Sequence, residues 1–156
     1  MRFLILLGLV LTVGLYIRSR PEKLVMQPDD RSMIPTYYPN SALKAQPIDS
    51  DFELKRGRDV LYVMKTDGED KGFIGRVQGL PGDDISVDSG FLTCNGKLIG
   101  PARIRAVGFK ADILREVPKD HLCMLNVNPD LRYSDSRQFG FVPRDQVQAI
   151  ILGEIR

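Results

Sequence analysis

Short runs of β-branched and aromatic residues alternate with turn-forming residues over most of this chain. The runs RDVLYVMK (58–65) and GFIGRVQGL (72–80) flank TDGED (66–70), a pattern that predicts a β-hairpin. A second hairpin is expected where Asn95-Gly96 separates two apolar stretches, because this dipeptide favours a two-residue turn. This alternation constrains the fold most strongly, since it leaves little room for long helices.

The remaining segments extend the same pattern towards the C-terminus. Strands are predicted at ISVD (85–88), HLCMLNV (121–127) and FVPRDQVQAIILGEI (141–155), and one short helix at KADILREV (110–117). Many short strands with little helix predict a mainly β domain, either a twisted sandwich or a partly open barrel. No composition shift divides residues 21–156, so we expect one domain there.

The first 20 residues differ from the rest, because an uncharged apolar run from Phe3 to Ile17 is flanked by arginines. A cleaved signal peptide, a buried core helix and an uncleaved anchor are the alternatives, but no small-residue cleavage site follows. As a helix the run spans roughly 22 Å, short of a ~30 Å hydrocarbon core unless the arginines reach outward. We expect a single transmembrane helix over residues 1–20.

The compartment of the β domain (21–156) is harder to predict. The nearby arginines favour the cytoplasm, yet long domains cross the membrane largely regardless of such charges. We expect a single-pass protein of the cell (inner) membrane, in contact with the lipid bilayer, whose main domain is extracytoplasmic.

Charge and cysteine content exclude several function classes. A net charge of +2, from 22 basic and 20 acidic residues, argues against nucleic acid as a partner. Cys94 and Cys123 are the only cysteines, too few for a metal set, and we predict neither a metal nor a cofactor. Two free buried thiols and a disulfide both remain open.

Four motifs then occur in a fixed order. They are SMIPT (32–36), GRVQGLPGDD (75–84), PKDHLCML (118–125) and SDSRQFGFVP (134–143). In this order, after an apolar N-terminus, they resemble the boxes of the signal peptidase I family, the S26-type Ser/Lys membrane endopeptidases. The stretch NVNPDLRYSDSRQFG is also similar to sequences of the conjugal-transfer branch, whose peptidases process pilins.

The resemblance implies a signal-peptidase-like β-sheet domain with a groove for an extended peptide or preprotein. It implies a serine endopeptidase that cleaves leader sequences of exported or pilin-type preproteins on the outer side of the membrane. Ser32 matches the nucleophile, Met33 and Pro35 shape its loop, and Ile34 contacts substrate. A structural ion-pair cluster is implied at Arg76, Asp135, Ser136 and Arg137.

Three positions depart from the family pattern. Gly75 stands where the general-base lysine belongs, Asp30 where a hydroxyl helps to stabilise the oxyanion, and Tyr133 where a serine orients the lysine. A serine without a base is a poor nucleophile, and a carboxylate repels developing negative charge. An active peptidase and an inactive member that binds leader or pilin peptides as an assembly factor are therefore both open, beside a generic anchored β domain.

Substitute bases are few. Lys71 would share a face with position 75 but lie roughly 13 Å away along a strand. Lys65 should pair with residue 71 or 72 rather than 75, and His121 begins a strand, where a structural role is more common.

Overall fold

The computed structural model describes residues 20–99, 112–128 and 134–155. The expected transmembrane segment therefore lies outside the described residues, except for Arg20, and so does Tyr133. Within the described ranges, no helix is both long and apolar enough to cross a membrane.

Ten strands and two short helical segments make up the described chain, so the mainly β prediction is confirmed. The strands are β1 (Glu22–Val25), β2 (Ala42–Pro47), β3 (Asp59–Thr66), β4 (Glu69–Gly79), β5 (Ile85–Asp88), β6 (Phe91–Cys94), β7 (Lys97–Leu98), β8 (His121–Leu125), β9 (Val142–Pro143) and β10 (Val147–Glu154). The helical segments are α1 (Ser136–Phe139) and a 3-10 turn (Arg144–Gln146).

Seven strands form one antiparallel sheet in the order β1-β2-β10-β3-β4-β8-β9, and β5-β6-β7 form a second. The predicted β3–β4 hairpin is confirmed, with a tighter turn at Asp67 and Gly68, both of which have positive φ. Lys65 pairs with Asp70, one position short of the expected register. The Asn95-Gly96 turn is also confirmed, between β6 and β7.

Two predicted elements differ from the structure. The helix expected over 110–117 is wrong in its described part, because residues 112–117 contain no helix. The backbone of this segment bonds instead to the Asp83–Ile85 stretch, while Ile113 and Val117 enter the core below the small sheet. The closing run 141–155 is not one strand, because the 3-10 turn separates β9 from β10.

Three buried clusters make up the core of the described part of the chain. One lies below the small sheet and contains both cysteines, which are free and buried, so the disulfide alternative is wrong. A second surrounds Tyr62 on one face of the large sheet. The third joins Met33 to Ile74 and therefore packs the loop after Asp30 against β4.

Candidate functional site

The loop that carries Ser32 is anchored by the residue that follows it. Met33 is fully buried, and its carbonyl oxygen accepts backbone N–H bonds from Thr36 and Tyr37. The Ile34–Pro35 peptide bond is cis, with Ile34 partly exposed and Pro35 exposed. The carbonyl of Ser32 accepts the backbone N–H of Asn128, so the loop is also tied to the chain after β8. Ser32 is thus held by the core rather than displayed on a mobile tip.

Ser32 lines a cleft of about 580 Å³, here called the Ser32 cleft. Its walls come from the Ser32 loop on one side and the first half of β4 on the other. They comprise Gln27, residues 29–32, residues 71–74, Asn126 and Ser134. Apolar Phe73 and Ile74 therefore face the same space as the charged residues of the loop.

The β4 wall of the cleft offers an unpaired sheet edge. β4 pairs with β3 along residues 69–76, but with β8 only at Arg76, Val77 and Gly79. Among the described residues, no strand pairs with the other edge of residues 69–75. Such an edge presents backbone N–H and C=O groups that can bond to an extended chain.

Acyl transfer would use two polar groups of Ser32, the side-chain hydroxyl and the backbone N–H, and the surroundings of both oppose that use. The Ser32 Oγ is buried and has no hydrogen-bond partner within the described chain, so nothing there receives its proton. The Ser32 backbone N–H donates to Asp30 Oδ1 at 2.9 Å. The backbone N–H of a nucleophile commonly helps to bind the oxyanion, and a carboxylate already bonded there opposes that role.

Position 75 is occupied by the neighbouring strand's side chain. A Cβ added at Gly75 would lie 3.1 Å from Tyr62 Cε1 and 3.6 Å from the Tyr62 hydroxyl oxygen. Tyr62 is fully buried, and its hydroxyl donates to the Ser134 carbonyl at 2.7 Å. The space into which a residue at position 75 would grow is therefore filled by a phenol.

This phenol cannot replace a lysine as the base. Burial raises the pKa of Tyr62 well above its ordinary value, and the nearby carboxylates of Asp135 and Asp30 act in the same direction. Tyr62 therefore stays protonated at neutral pH and serves as a hydrogen-bond donor.

Of the three substitute bases considered from sequence, only Lys71 lines the cleft. Its side chain is 45% exposed, and its Nζ lies 3.7 Å from Asp67 Oδ2. His121 Nδ1 lies 2.9 Å from the Lys119 carbonyl oxygen, away from the residues that line the cleft. Within the described ranges, no group of three or more His, Cys, Asp or Glu side chains is arranged to hold a metal ion.

The motif 134–143 forms a buried polar support behind the cleft. Asp135 and Arg137 form an ion pair at 2.7 Å with side-chain exposures of 0% and 6%. Asp135 and Arg137 do not lie on an extended strand, because Asp135 caps α1 and accepts the Arg137 backbone N–H. Asp135 also accepts the Asn126 N–H, and Ser136 Oγ accepts that of Met124, which fastens α1 to β8 and its end.

Arg76 does not join this cluster as expected. Its guanidinium instead makes a bidentate pair with Asp59, with distances of 2.7 and 3.0 Å, and donates to Thr36 Oγ1 at 3.3 Å. The reason is register, since Asp59 on β3 lies directly opposite Arg76 on β4. Arg76 therefore stabilises the far end of the Ser32 loop.

Sequence reasoning missed Tyr62, Asp59 and Asn126. Strand partners follow from the turn position, but the predicted register, with Lys65 opposite residue 71 or 72, would have placed Asp59 opposite Val77 or Gln78 rather than Arg76. Tyr62 and Asn126 carried no such signal, since an aromatic residue in a strand and an asparagine after one are both common.

Comparisons with known proteins identify a family for this chain. A family model described as "Signal peptidase, peptidase S26" matches residues 1–154. A probable signal peptidase I-2 from Synechocystis is 32% identical over 121 residues, which cover 74% of this chain and 55% of that protein. A signal peptidase I from Leptolyngbya laminosa is 28% identical over 148 residues, covering 90% and 72%.

One of the similar solved structures serves as an example. It is a signal peptidase I from Enterococcus faecalis with 20% identity and a TM-score of 0.45, covering 67% of this chain and 98% of that chain. The chain spans little more than half the length of the Synechocystis relative.

Proposed function

The chain belongs to the signal peptidase family, peptidase S26, and from this premise we propose that its Ser32 cleft binds the extended leader segment of an exported preprotein. The observation that carries the proposal is the edge of β4 at residues 69–75, which borders the cleft and has no strand partner among the described residues. A peptide in extended form adds to such an edge through backbone hydrogen bonds.

The chemistry of the cleft supports such a ligand. Backbone bonds to β4 would supply affinity for many sequences, because they do not depend on side chains. Phe73 and Ile74 lie next to each other on β4 and point to opposite faces, so they offer apolar contact to successive side chains of an added peptide strand. The ligand class is therefore an extended leader peptide, of which pilin-type leaders are one example.

We further propose that this domain binds leader peptides without cutting them, as an assembly factor of the family. Three features support this. Ser32 Oγ has no proton acceptor within the described residues, and the Asp30 carboxylate already accepts the Ser32 backbone N–H. The Tyr62 ring fills the space beside Gly75. Each one weakens either nucleophile activation or oxyanion binding, and such losses cost orders of magnitude in rate.

Cleavage by Ser32 is the second candidate function, and Lys71 is the observation that favours it. Lys71 lines the same cleft as Ser32, and a lysine amine can act as the general base for a serine nucleophile. This route requires Lys71 to leave Asp67 and approach Ser32 Oγ.

One experiment separates these functions. The full-length chain in mild detergent is mixed with a fluorescein-labelled leader peptide that has alanines one and three residues before its expected cleavage bond. We expect saturable binding by fluorescence anisotropy and an intact peptide by mass spectrometry. A matched peptide with prolines at alternate positions should not bind, because proline cannot donate to a strand edge.

The opposite results are equally informative. Cleavage that is lost in Ser32→Ala and in Lys71→Met would establish the peptidase function and overturn the non-cutting proposal. Equal binding of the proline peptide would overturn strand addition at β4. We place the protein at the cell membrane through residues 1–20, with the cleft on the outer side, where leader peptides emerge.

A further inference from the structure

A buried asparagine at the inner end of the Ser32 cleft has an unused hydrogen-bond acceptor. Asn126 is 2% exposed, and its Oδ1 has no partner in the described part of the chain. Only two other buried side-chain atoms there share this condition, Ser32 Oγ and Thr66 Oγ1. Asn126 and Ser32 line the same cleft, whereas Thr66 does not.

An unpaired acceptor in a dry position lowers the stability of the free protein. Asn126 lies within a stretch from Leu122 to Val127 whose residues are all buried, and an apolar side chain would suit its packing. Buried polar groups that lack a hydrogen-bond partner are typical of ligand sites, where the ligand supplies the missing partner.

The position of Asn126 in the sheet indicates which hydrogen-bond donor its carboxamide oxygen can accept from. Leu125 pairs with Arg76, which is the last pair before β8 leaves the β4 edge. Asn126 therefore stands where the unpaired edge of β4 begins. A peptide added to residues 69–75 would have one end directed at this side chain, and the groups along its backbone that can donate are amide N–H groups.

We propose that the Asn126 carboxamide oxygen accepts one backbone N–H of the bound peptide and thereby sets its register along β4. The inference rests on the proposed peptide-binding function. Backbone bonds to a strand edge do not by themselves define register, because a slip exchanges one set of equivalent bonds for another. A single fixed acceptor removes this ambiguity and decides which peptide bond faces Ser32.

The Asn126 side chain can be removed while the backbone hydrogen bond that anchors residue 126 is kept. The Asn126 backbone N–H donates to Asp135 Oδ2 at 2.9 Å, and this bond does not involve the carboxamide. Truncation should therefore leave α1 and the end of β8 in place.

The test uses the full-length chain in detergent, the same labelled leader peptide and the variants Asn126→Ala, Asn126→Asp and Thr66→Val. We expect Asn126→Ala to weaken peptide binding roughly 3- to 10-fold, the loss of one hydrogen bond, with an unchanged or higher Tm. Asn126→Asp retains acceptor oxygens but buries a carboxylate without a cation, so we expect a lower Tm together with peptide affinity that is largely retained by the folded protein. Thr66→Val removes the equally unpartnered oxygen outside the cleft and should bind like the wild type.

A set of peptides, each N-methylated at one amide, locates the donor. One N-methyl position should weaken wild-type binding and have no further effect in Asn126→Ala. Wild-type binding with no change in Asn126→Ala would overturn this inference and leave the proposed function intact. A fall in Tm of several degrees in Asn126→Ala, with unchanged affinity for the remaining folded protein, would assign a structural role instead. No binding by any variant would overturn both proposals.

Discussion

The ring of Tyr62 lies against the backbone of Gly75, so that a Cβ at position 75 would be 3.1 Å from Tyr62 Cε1. Tyr62 cannot easily move, because it is fully buried and its hydroxyl is bonded to the Ser134 carbonyl. We predict that Gly75→Ala lowers the free energy of unfolding by about 1–2 kcal/mol, from overpacking. Chemical denaturation measures this change.

The control for this contact is a double-mutant cycle. In a Tyr62→Val background the ring is absent, so Gly75→Ala should be neutral or slightly stabilising, as expected for glycine replacement in a strand. An equal cost in both backgrounds would show that the Tyr62 ring is not the cause.

A lysine at position 75 should not restore catalysis by itself. In Gly75→Lys the Tyr62 ring obstructs the new side chain, and Asp30 still holds the Ser32 N–H. We predict no leader-peptide cleavage for Gly75→Lys and measurable cleavage for Gly75→Lys combined with Tyr62→Val and Asp30→Ser. Mass spectrometry of the peptide detects the products, and adding Ser32→Ala to the triple variant should abolish them. Cleavage by Gly75→Lys alone would contradict the obstruction by Tyr62.

The buried pair of Asp135 and Arg137 should contribute strongly to stability when only one partner is removed. Arg137→Met leaves the Asp135 carboxylate fully buried without its cation, and we predict a loss of roughly 3–5 kcal/mol in the free energy of unfolding. Arg56→Met is the matched control. Its pair with Asp83 leaves the Arg56 side chain 44% exposed, so a loss below about 1 kcal/mol is expected in urea denaturation. Similar losses in both variants would contradict the role of burial.

Tyr37 makes the stability of the fold depend on pH in the alkaline range. Burial raises the pKa of Tyr37 to about 12 from its ordinary value of 10.0, and Asp59 contributes in the same direction. Because the folded-state pKa is raised, the stabilisation is complete below about pH 10 and is lost as pH rises towards about 12. We therefore predict that the stability advantage of the wild type over Tyr37→Phe shrinks across this range.

Denaturation of both proteins at several pH values checks this, and tyrosinate absorbance follows the titration directly. A constant difference between wild type and Tyr37→Phe from pH 10 to 12 would disagree with the raised pKa.

The two cysteines should be inert thiols in the folded protein. Cys123 is fully buried and Cys94 is 5% exposed, and burial raises the pKa of both thiols. We predict very slow reaction of both with iodoacetamide until denaturant is added, since the thiolate is the reactive form. Lys97→Cys places a thiol at an exposed position and should react rapidly under the same conditions. Rapid labelling of the wild type would contradict their burial.

Local patterns predicted much of the β fold, because hairpins depend on turn residues and on the alternation next to them. The β3–β4 and β6–β7 hairpins illustrate this, since their turns lie within the predicted stretches. The helix over 110–117 failed because Ile113 and Val117, four residues apart, suit a helical face as well as an irregular segment buried under a sheet.

The sequence by itself determined the family, the position of Ser32 and the absence of a side chain at Gly75, because each is a matter of residue identity and order. Only the tertiary structure decided what surrounds them. Tyr62 covers Gly75, Asp30 binds the Ser32 N–H, and Asn126 keeps an unused acceptor at the end of the β4 edge. The physical reason is that rotamers, registers and hydrogen-bond partners are selected by packing among distant segments, which residue spacing does not encode.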